Sequence, residues 1–106
     1  MLINKSNKVE ADDIATFKMV NGDELVAKVV EVTDAGDFVL NRPFTVIPSG
    51  QGMGLLPLLL TADENQNYTV RNQHVLMHGS TVKEIQTHYV KMTTGIELVT
   101  PGSIVT

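Results

Sequence analysis

Short strand-like segments separated by turn residues constrain the fold of this chain more than any other feature of its sequence. Residues 17–20 alternate in polarity and stop at Asn21-Gly22, a pair typical of a tight β-hairpin turn. A nearly continuous β-branched segment follows at residues 25–32, and residues 33–37 end it with a second turn. A strand that is apolar on both faces is usually covered on both, by a bent sheet or by a neighbouring subunit. This half of the sequence therefore predicts a β-hairpin whose second strand is covered on both faces, by a bent sheet or by a neighbouring subunit.

The next predicted strand covers residues 38–47. Alternation along it predicts a single apolar face, made of Phe38, Leu40, Phe44 and Val46. Pro43 cannot donate to a sheet ladder, so its position indicates an edge, a bulge or a bend.

The second half of the chain is less regular. Residues 49–67 form an excursion, which we expect to be a flexible glycine-rich loop (49–54), an apolar flap (55–60) packed on the sheet or on the next subunit, and a polar turn. Strand-like segments follow at residues 68–70 and 75–78, and after a turn at residues 79–81 another begins at residues 82–85 and continues towards Met92. Five or six short strands with tight turns favour a small barrel or sandwich.

One compact domain accounts for 106 residues. We expect an N-terminal segment (1–15), with a short helix that Ser6 could cap, a β-domain (16–92) and a C-terminal tail (93–106). The formal net charge of −4 disfavours non-specific binding to duplex DNA but permits a local binding site for single-stranded nucleic acid. The absence of Cys excludes disulfides and thiolate metal sites, and fits a reducing cytoplasm. Residues 1–8 show no secretory signal, and residues 55–60 are too few to span a bilayer, which favours a soluble cytoplasmic protein without a membrane partner.

Two stretches resemble the motifs of the Sm/Lsm-like family. The first consists of Val20-Asn21-Gly22, Ala27, Val29, Asp34 and Asp37-Phe38-Val39-Leu40, and the second of Val75-Leu76-Met77-His78-Gly79-Ser80-Thr81-Val82-Lys83-Glu84-Ile85. The glycine- and leucine-rich middle is also similar to Sm-like proteins of marine bacteriophages (cyanophages). The resemblance implies an all-β fold, namely a small, strongly bent, five-stranded antiparallel barrel with an extended loop or hairpin between its third and fourth strands.

The resemblance also implies a homo-oligomeric ring, because Sm-like subunits pair the fourth strand of one copy with the fifth strand of the next. This assignment places five residues at the subunit contacts: Val75, Leu76, Met77, Val82 and Ile85. Pairing of this kind also protects apolar strand edges that would otherwise invite aggregation.

The family's RNA site implies a nucleic-acid-binding set in two loops facing the pore: Gly36, Asp37, His78, Gly79 and Ser80. This chain departs from the family there. Gly36 supplies no stacking side chain, Asp37 replaces an Asn and accepts hydrogen bonds without donating any, and His78 replaces an Arg with a group that titrates near neutrality. His78 could instead be a strand-end residue bonded to a backbone carbonyl. The basic residues Lys28, Arg42 and Lys83 are candidates for phosphate contacts, or else belong to a solvated face.

Nothing in the pattern favours catalysis or metal binding. His74 and His78 would lie roughly 13 Å apart on a strand at ~3.3 Å per residue, too far for one ion. Asp34 with Asp37, and Asp63 with Glu64, have no accompanying nucleophile. We therefore expect no enzyme activity, no cofactor, no metal and no small-molecule substrate. The favoured function is a ring that binds single-stranded nucleic acid, RNA in preference to DNA, in nucleic-acid processing or regulation. The alternative is a phage structural or assembly module whose barrel makes only protein contacts. Either would act in the cytoplasm, which is that of the host cell if the protein is of phage origin.

Overall fold

The computed structural model describes residues 9–50 and 52–94, which form six β-strands, one α-helix and a short 3₁₀ turn. The strands are β1 (Ile14–Met19), β2 (Glu24–Val32), β3 (Phe38–Ser49), β4 (Gly52–Pro57), β5 (Asn67–Val70) and β6 (Val75–Ser80). The 3₁₀ turn is Asn72–His74 and the helix, α1, is Lys83–Thr94. Residues 9–13 form no helix, and the remainder of the predicted N-terminal helix lies outside the described residues or within β1.

All strand pairs are antiparallel and belong to one open sheet with the order β4-β3-β2-β1-β6. The long strand β3 has two partners besides β2, because residues 38–41 pair with β5 and residues 44–49 pair with β4. The predicted β-rich antiparallel fold is confirmed in this form. Within the described residues the sheet does not close on itself.

The first hairpin has the predicted turn at Asn21-Gly22. Gly22 has φ +99°, a left-handed conformation that favours glycine, and its N–H donates to the Met19 carbonyl at 2.9 Å. The Asn21 side-chain oxygen accepts from the Asp23 N–H at 3.0 Å, which is a typical side-chain contact in such turns. Local chemistry therefore sets the pairing of β1 with β2.

A bulge at Arg42 divides β3 into two halves that face opposite sides of the sheet. Lys28 pairs with Asn41 and Val26 pairs with Phe44, so one extra residue lies on β3, and Arg42 has φ +51°. This bulge, which includes Pro43, is one of the three alternatives (edge, bulge or bend) that the position of Pro43 indicated. The single apolar face predicted for β3 is wrong, because the extra residue turns the second half of the strand over.

The two halves of β3 belong to separate hydrophobic clusters. One contains Val9, Ala15, Phe17, Leu25, Ala27, Val29, Phe38 and Leu40. The other contains Val26, Phe44, Leu55 and Tyr89, with Ile14, Val46, Ile85 and Met92 packed against them. The first half of β2 is thus buried on both faces, as its sequence predicted, and helix α1 supplies one of the two covers.

The sequence predicted a strand from residue 82 towards Met92, but residues 83–94 form the helix α1 instead. Ile85, Tyr89 and Met92 recur at i, i+4 and i+7, which is a helical stripe, and all three pack on the second cluster. The strand prediction is wrong because it relied on the β-branched start of this segment and overlooked the helical spacing of the apolar residues that follow. Val82 lies exposed just before the helix, so neither Val82 nor Ile85 belongs to a strand edge.

The hydroxyl of Tyr89 fastens α1 to the sheet at the β3 bulge. It accepts from the Lys28 N–H at 3.1 Å and donates to the Asn41 carbonyl at 2.8 Å, with the Arg42 carbonyl at 3.0 Å. Burial raises the pKa of Tyr89 to about 12, although the Lys28 hydrogen bond and the nearby Arg42 charge act in the opposite direction. The hydroxyl therefore satisfies backbone groups where the bulge interrupts the ladder.

The predicted glycine-rich loop is instead part of a hairpin. Strand β4 pairs with β3 in register from Phe44↔Pro57 to Ser49↔Gly52, so only the segment around Gly50 turns. Leu55 is buried and Leu58 packs on the first cluster, as expected for a flap that covers its own sheet. Leu60 remains 79% exposed. The described part of the chain contains no helix long and apolar enough to cross a bilayer.

Candidate functional site

The turn between β2 and β3 meets strand β6 in one open groove, which we call the His78 groove. Its volume is about 410 Å³, and its lining residues are Gly36, Phe38, Asn72, Val75, Leu76, Met77 and His78. Gly36 and His78, which the sequence assigned to two separate binding segments, are therefore neighbours in the fold. Asp37, Gly79 and Ser80 do not line this groove.

Asp37 joins the β2–β3 turn to the 3₁₀ turn. Its carboxylate Oδ1 accepts from the Asn72 backbone N–H at 2.8 Å, and its own N–H donates to Thr33 Oγ1 at 3.0 Å. A second bond, from the Gly36 N–H to the Thr33 carbonyl at 2.8 Å, closes the turn. The contacts of Asp37 thus position the groove wall.

Asn72 is a groove residue that the sequence did not indicate. Its side-chain Nδ2 donates to the Ala35 carbonyl at 2.7 Å, which holds the amide against the β2–β3 turn. A Cβ built on Gly36 would lie 3.0 Å from that same nitrogen. The amide therefore occupies the space into which a side chain at position 36 would project. No local pattern marks Asn72, because its importance arises from a contact with residues far away in the sequence.

Replacing Gly36 tests this arrangement. Gly36 has φ +89°, and an added methyl group would meet the Asn72 amide, so Gly36→Ala combines backbone strain with a close contact. We expect the free energy of unfolding to fall by about 1–3 kcal/mol, measured by urea denaturation. Gly22→Ala is the matched control, because Gly22 also has a positive φ (+99°) but a Cβ there meets nothing within 4 Å. Equal stability of the two variants would contradict the close packing of Asn72 on this turn.

The His78 ring packs against two aromatic side chains, those of Phe38 and Phe17. Its centroid is 5.0 Å from that of Phe38 at an interplanar angle of 65°, and 6.2 Å from that of Phe17. Phe17 is fully buried and Phe38 nearly so, whereas His78 is exposed. Within residues 9–50 and 52–94 the imidazole makes no hydrogen bond, so the proposed bond to a backbone carbonyl is not observed there. The ring is therefore fixed in position by aromatic contacts and keeps its polar atoms available.

Gly79 and Ser80 continue strand β6, so the predicted turn at residues 79–81 is wrong. They pair with Thr16 and Ala15 of β1. Both line a second open cavity of about 540 Å³, which shares Leu76, Met77 and His78 with the groove and adds Thr16, Lys18 and Glu24. The two residues thus lie beside the His78 groove along the same strand.

The three candidate phosphate-binding residues do not line the groove and lie on separate elements. Lys28 on β2 is 4.0 Å from the Asp12 carboxylate. Arg42 on β3 donates to the Thr93 carbonyl at 3.0 Å and to Asn65 Oδ1 at 3.3 Å, which fixes the last turn of α1. Lys83 begins α1. The contacts of Arg42 indicate a structural role.

Strand β6 forms one edge of the described sheet. It pairs with β1 on one side, and no described strand pairs with it on the other. Leu76 and Met77 on this edge are 61% and 66% exposed, whereas Val75 packs on the first cluster. A register shift places Leu76 in a bulge opposite Lys18 and Met19. Exposed apolar residues at an unpaired edge favour pairing with another chain, whereas the bulge at Leu76 twists the edge locally.

No group of three or more metal-binding side chains occurs among the described residues. The sequence matches no protein-family model. No curated protein matches it significantly.

Proposed function

We propose that this protein is an Sm-like, ring-forming binding protein that holds single-stranded nucleic acid, preferably RNA, in the His78 groove. The observation that carries the proposal is the meeting of Gly36 and His78 in one groove with an aromatic floor. Single-stranded bases bind proteins by stacking on aromatic side chains and by hydrogen bonds to their polar edges. The groove offers both kinds of contact, through Phe38 and His78 and through the Asn72 amide.

Two free edges of the described sheet support assembly into a ring. The outer edge of β6 carries Leu76 and Met77, and the outer edge of β5 has no partner among the described strands. Pairing β6 of one copy with β5 of the next would satisfy both edges and close the bent sheets into a circle. This contact replaces the strand pair that the sequence suggested, because residues 82–85 do not form a strand. In such a ring the His78 grooves repeat once per subunit.

Binding of oligo-U and oligo-A at two salt concentrations tests the proposal. We expect His78→Ala to weaken binding of the preferred oligonucleotide by about tenfold, because it removes a stacking ring worth about 1–3 kcal/mol per base. His74→Ala is the matched control, since His74 is exposed and lies outside the groove. An equal loss in both variants would argue against the groove.

The second candidate function is an assembly module that binds only protein. The exposed Leu76 and Met77 favour it, as does a groove that no Lys or Arg of residues 9–50 and 52–94 lines. Absence of binding to either oligonucleotide at low salt, with a multimeric solution mass, would select this function over the first.

A further inference from the structure

The His78 groove carries almost no charge, which limits what part of a nucleotide it can hold. No Lys, Arg, Asp or Glu side chain lines it in the described part of the chain, and its polar side chains are the Asn72 amide and the His78 imidazole. Phosphate recognition depends on Lys, Arg or clusters of N–H donors. A base needs an apolar surface and a few neutral hydrogen-bonding groups. The groove is therefore suited to the base and not to the phosphate.

Its size and floor agree with this assignment. A volume of about 410 Å³ falls within the roughly 300–1,000 Å³ of small-ligand sites. Phe38 and Val75 supply apolar surface to the groove, and the exposed His78 ring packs against Phe38 at an interplanar angle of 65°. Every base has a face that can stack on an aromatic surface, so stacking alone does not select among the bases.

The Asn72 amide adds a hydrogen-bonding pattern. One N–H of Nδ2 donates to the Ala35 carbonyl, and no described group bonds to Oδ1 or takes the second N–H. An amide with one acceptor and one donor matches the N6 amine and N7 of adenine, whereas guanine and inosine present two acceptors at the same edge. The contact with Ala35 fixes the amide before a ligand arrives, so little side-chain entropy remains to be lost.

We infer that the His78 groove selects adenine, with the base stacked on His78 and its N6/N7 edge bonded to the Asn72 amide. This inference rests on the proposed function, since it names the base that the nucleic-acid site prefers. It assigns Asn72 as the specificity-determining residue, and it leaves the phosphates to groups outside the groove.

Oligo-A and oligo-inosine of equal length test the inference, because the two bases share a ring system and differ at the edge that Asn72 would contact. We expect wild type to bind oligo-A about tenfold more tightly. Asn72→Ala should bring the two affinities together, whereas Gln73→Ala, an exposed change in the same 3₁₀ turn, should preserve the difference. The wild-type comparison requires no variant, so it remains informative if Asn72→Ala is unstable.

The possible outcomes distinguish a failure of adenine selection from a failure of the proposed function. Equal wild-type affinities for oligo-A and oligo-inosine would overturn adenine selection while nucleic-acid binding stands, as would a preference that survives in a folded Asn72→Ala protein. Failure of oligo-A, oligo-inosine and oligo-U to bind at low salt would overturn the proposed function itself.

Discussion

Replacing Tyr89 by Phe is expected to lower the free energy of unfolding by about 2–4 kcal/mol, although it removes a single oxygen atom. The Lys28 N–H loses its acceptor, and the Asn41 and Arg42 carbonyls lose their donor, at the point where the bulge interrupts the sheet. An unsatisfied buried polar group costs about 1–3 kcal/mol, and a lost hydrogen bond adds roughly 1 kcal/mol. Urea denaturation measures the change. A loss below about 0.5 kcal/mol would show that the hydroxyl does not bridge these groups.

The same hydroxyl predicts how stability depends on pH. Burial raises the pKa of Tyr89 to about 12, above its ordinary value of 10.0, so the folded state keeps a proton that the unfolded chain loses. The contribution of the protonated Tyr89 hydroxyl to the free energy of unfolding is complete below pH 10 and disappears as pH rises through about 12. Between those values it should make the free energy of unfolding fall by about 1 kcal/mol per pH unit.

Denaturation of wild type and Tyr89→Phe across this pH range isolates the effect. In the Tyr89→Phe protein, the free energy of unfolding should not show this additional fall between pH 10 and about 12. Tyr68→Phe is the matched control, because the Tyr68 hydroxyl donates to the exposed Asp63 carbonyl and takes no part in the contact between helix and sheet. Parallel alkaline slopes in wild type and Tyr89→Phe would contradict the assignment.

Replacing Leu76 by Glu is expected to raise the dissociation constant for assembly by at least about 100-fold. Leu76 is exposed on the free edge of β6, where pairing with another copy would cover it. A carboxylate buried there without a partner would cost several kcal/mol. Sedimentation velocity over a range of protein concentrations measures the shift towards monomer.

Val90→Glu is the control for this substitution. Val90 is also an exposed aliphatic residue, but it lies on α1 beside Lys83, Gln86, Thr87 and Lys91. It should leave the assembly unchanged. If both Glu variants assemble as wild type does, β6 is not the contact edge.

Sequence reasoning succeeded where local chemistry determines structure. Asn21-Gly22 specifies its turn through the left-handed conformation of Gly22, and Pro43 marks the bulge in β3. It failed where two local tendencies compete. The segment that begins at Val82 has a β-branched start, and only the longer spacing of Ile85 and Tyr89 indicates the helix that the structure contains.

The groove was only partly accessible to prediction for a different reason. The resemblance placed Gly36 and His78 in pore loops, and the structure brings them into one groove. Asn72 lines the same groove and is held against the β2–β3 turn by hydrogen bonds with Ala35 and Asp37, which are distant in sequence. The left-handed conformation of Arg42 likewise moves the apolar side chains in the second half of β3 to the other face of the sheet. The alternation of polar and apolar residues along that strand gives no sign of this change.

The solution mass of the wild-type protein, measured by multi-angle light scattering, tests the central claim most directly. Edge-to-edge pairing of β6 predicts a closed assembly whose mass is a fixed multiple, greater than two, of the 11.6 kDa chain and does not change over a wide concentration range. A mass of 11.6 kDa at all concentrations would contradict it, because the β6 edge would then have no partner copy.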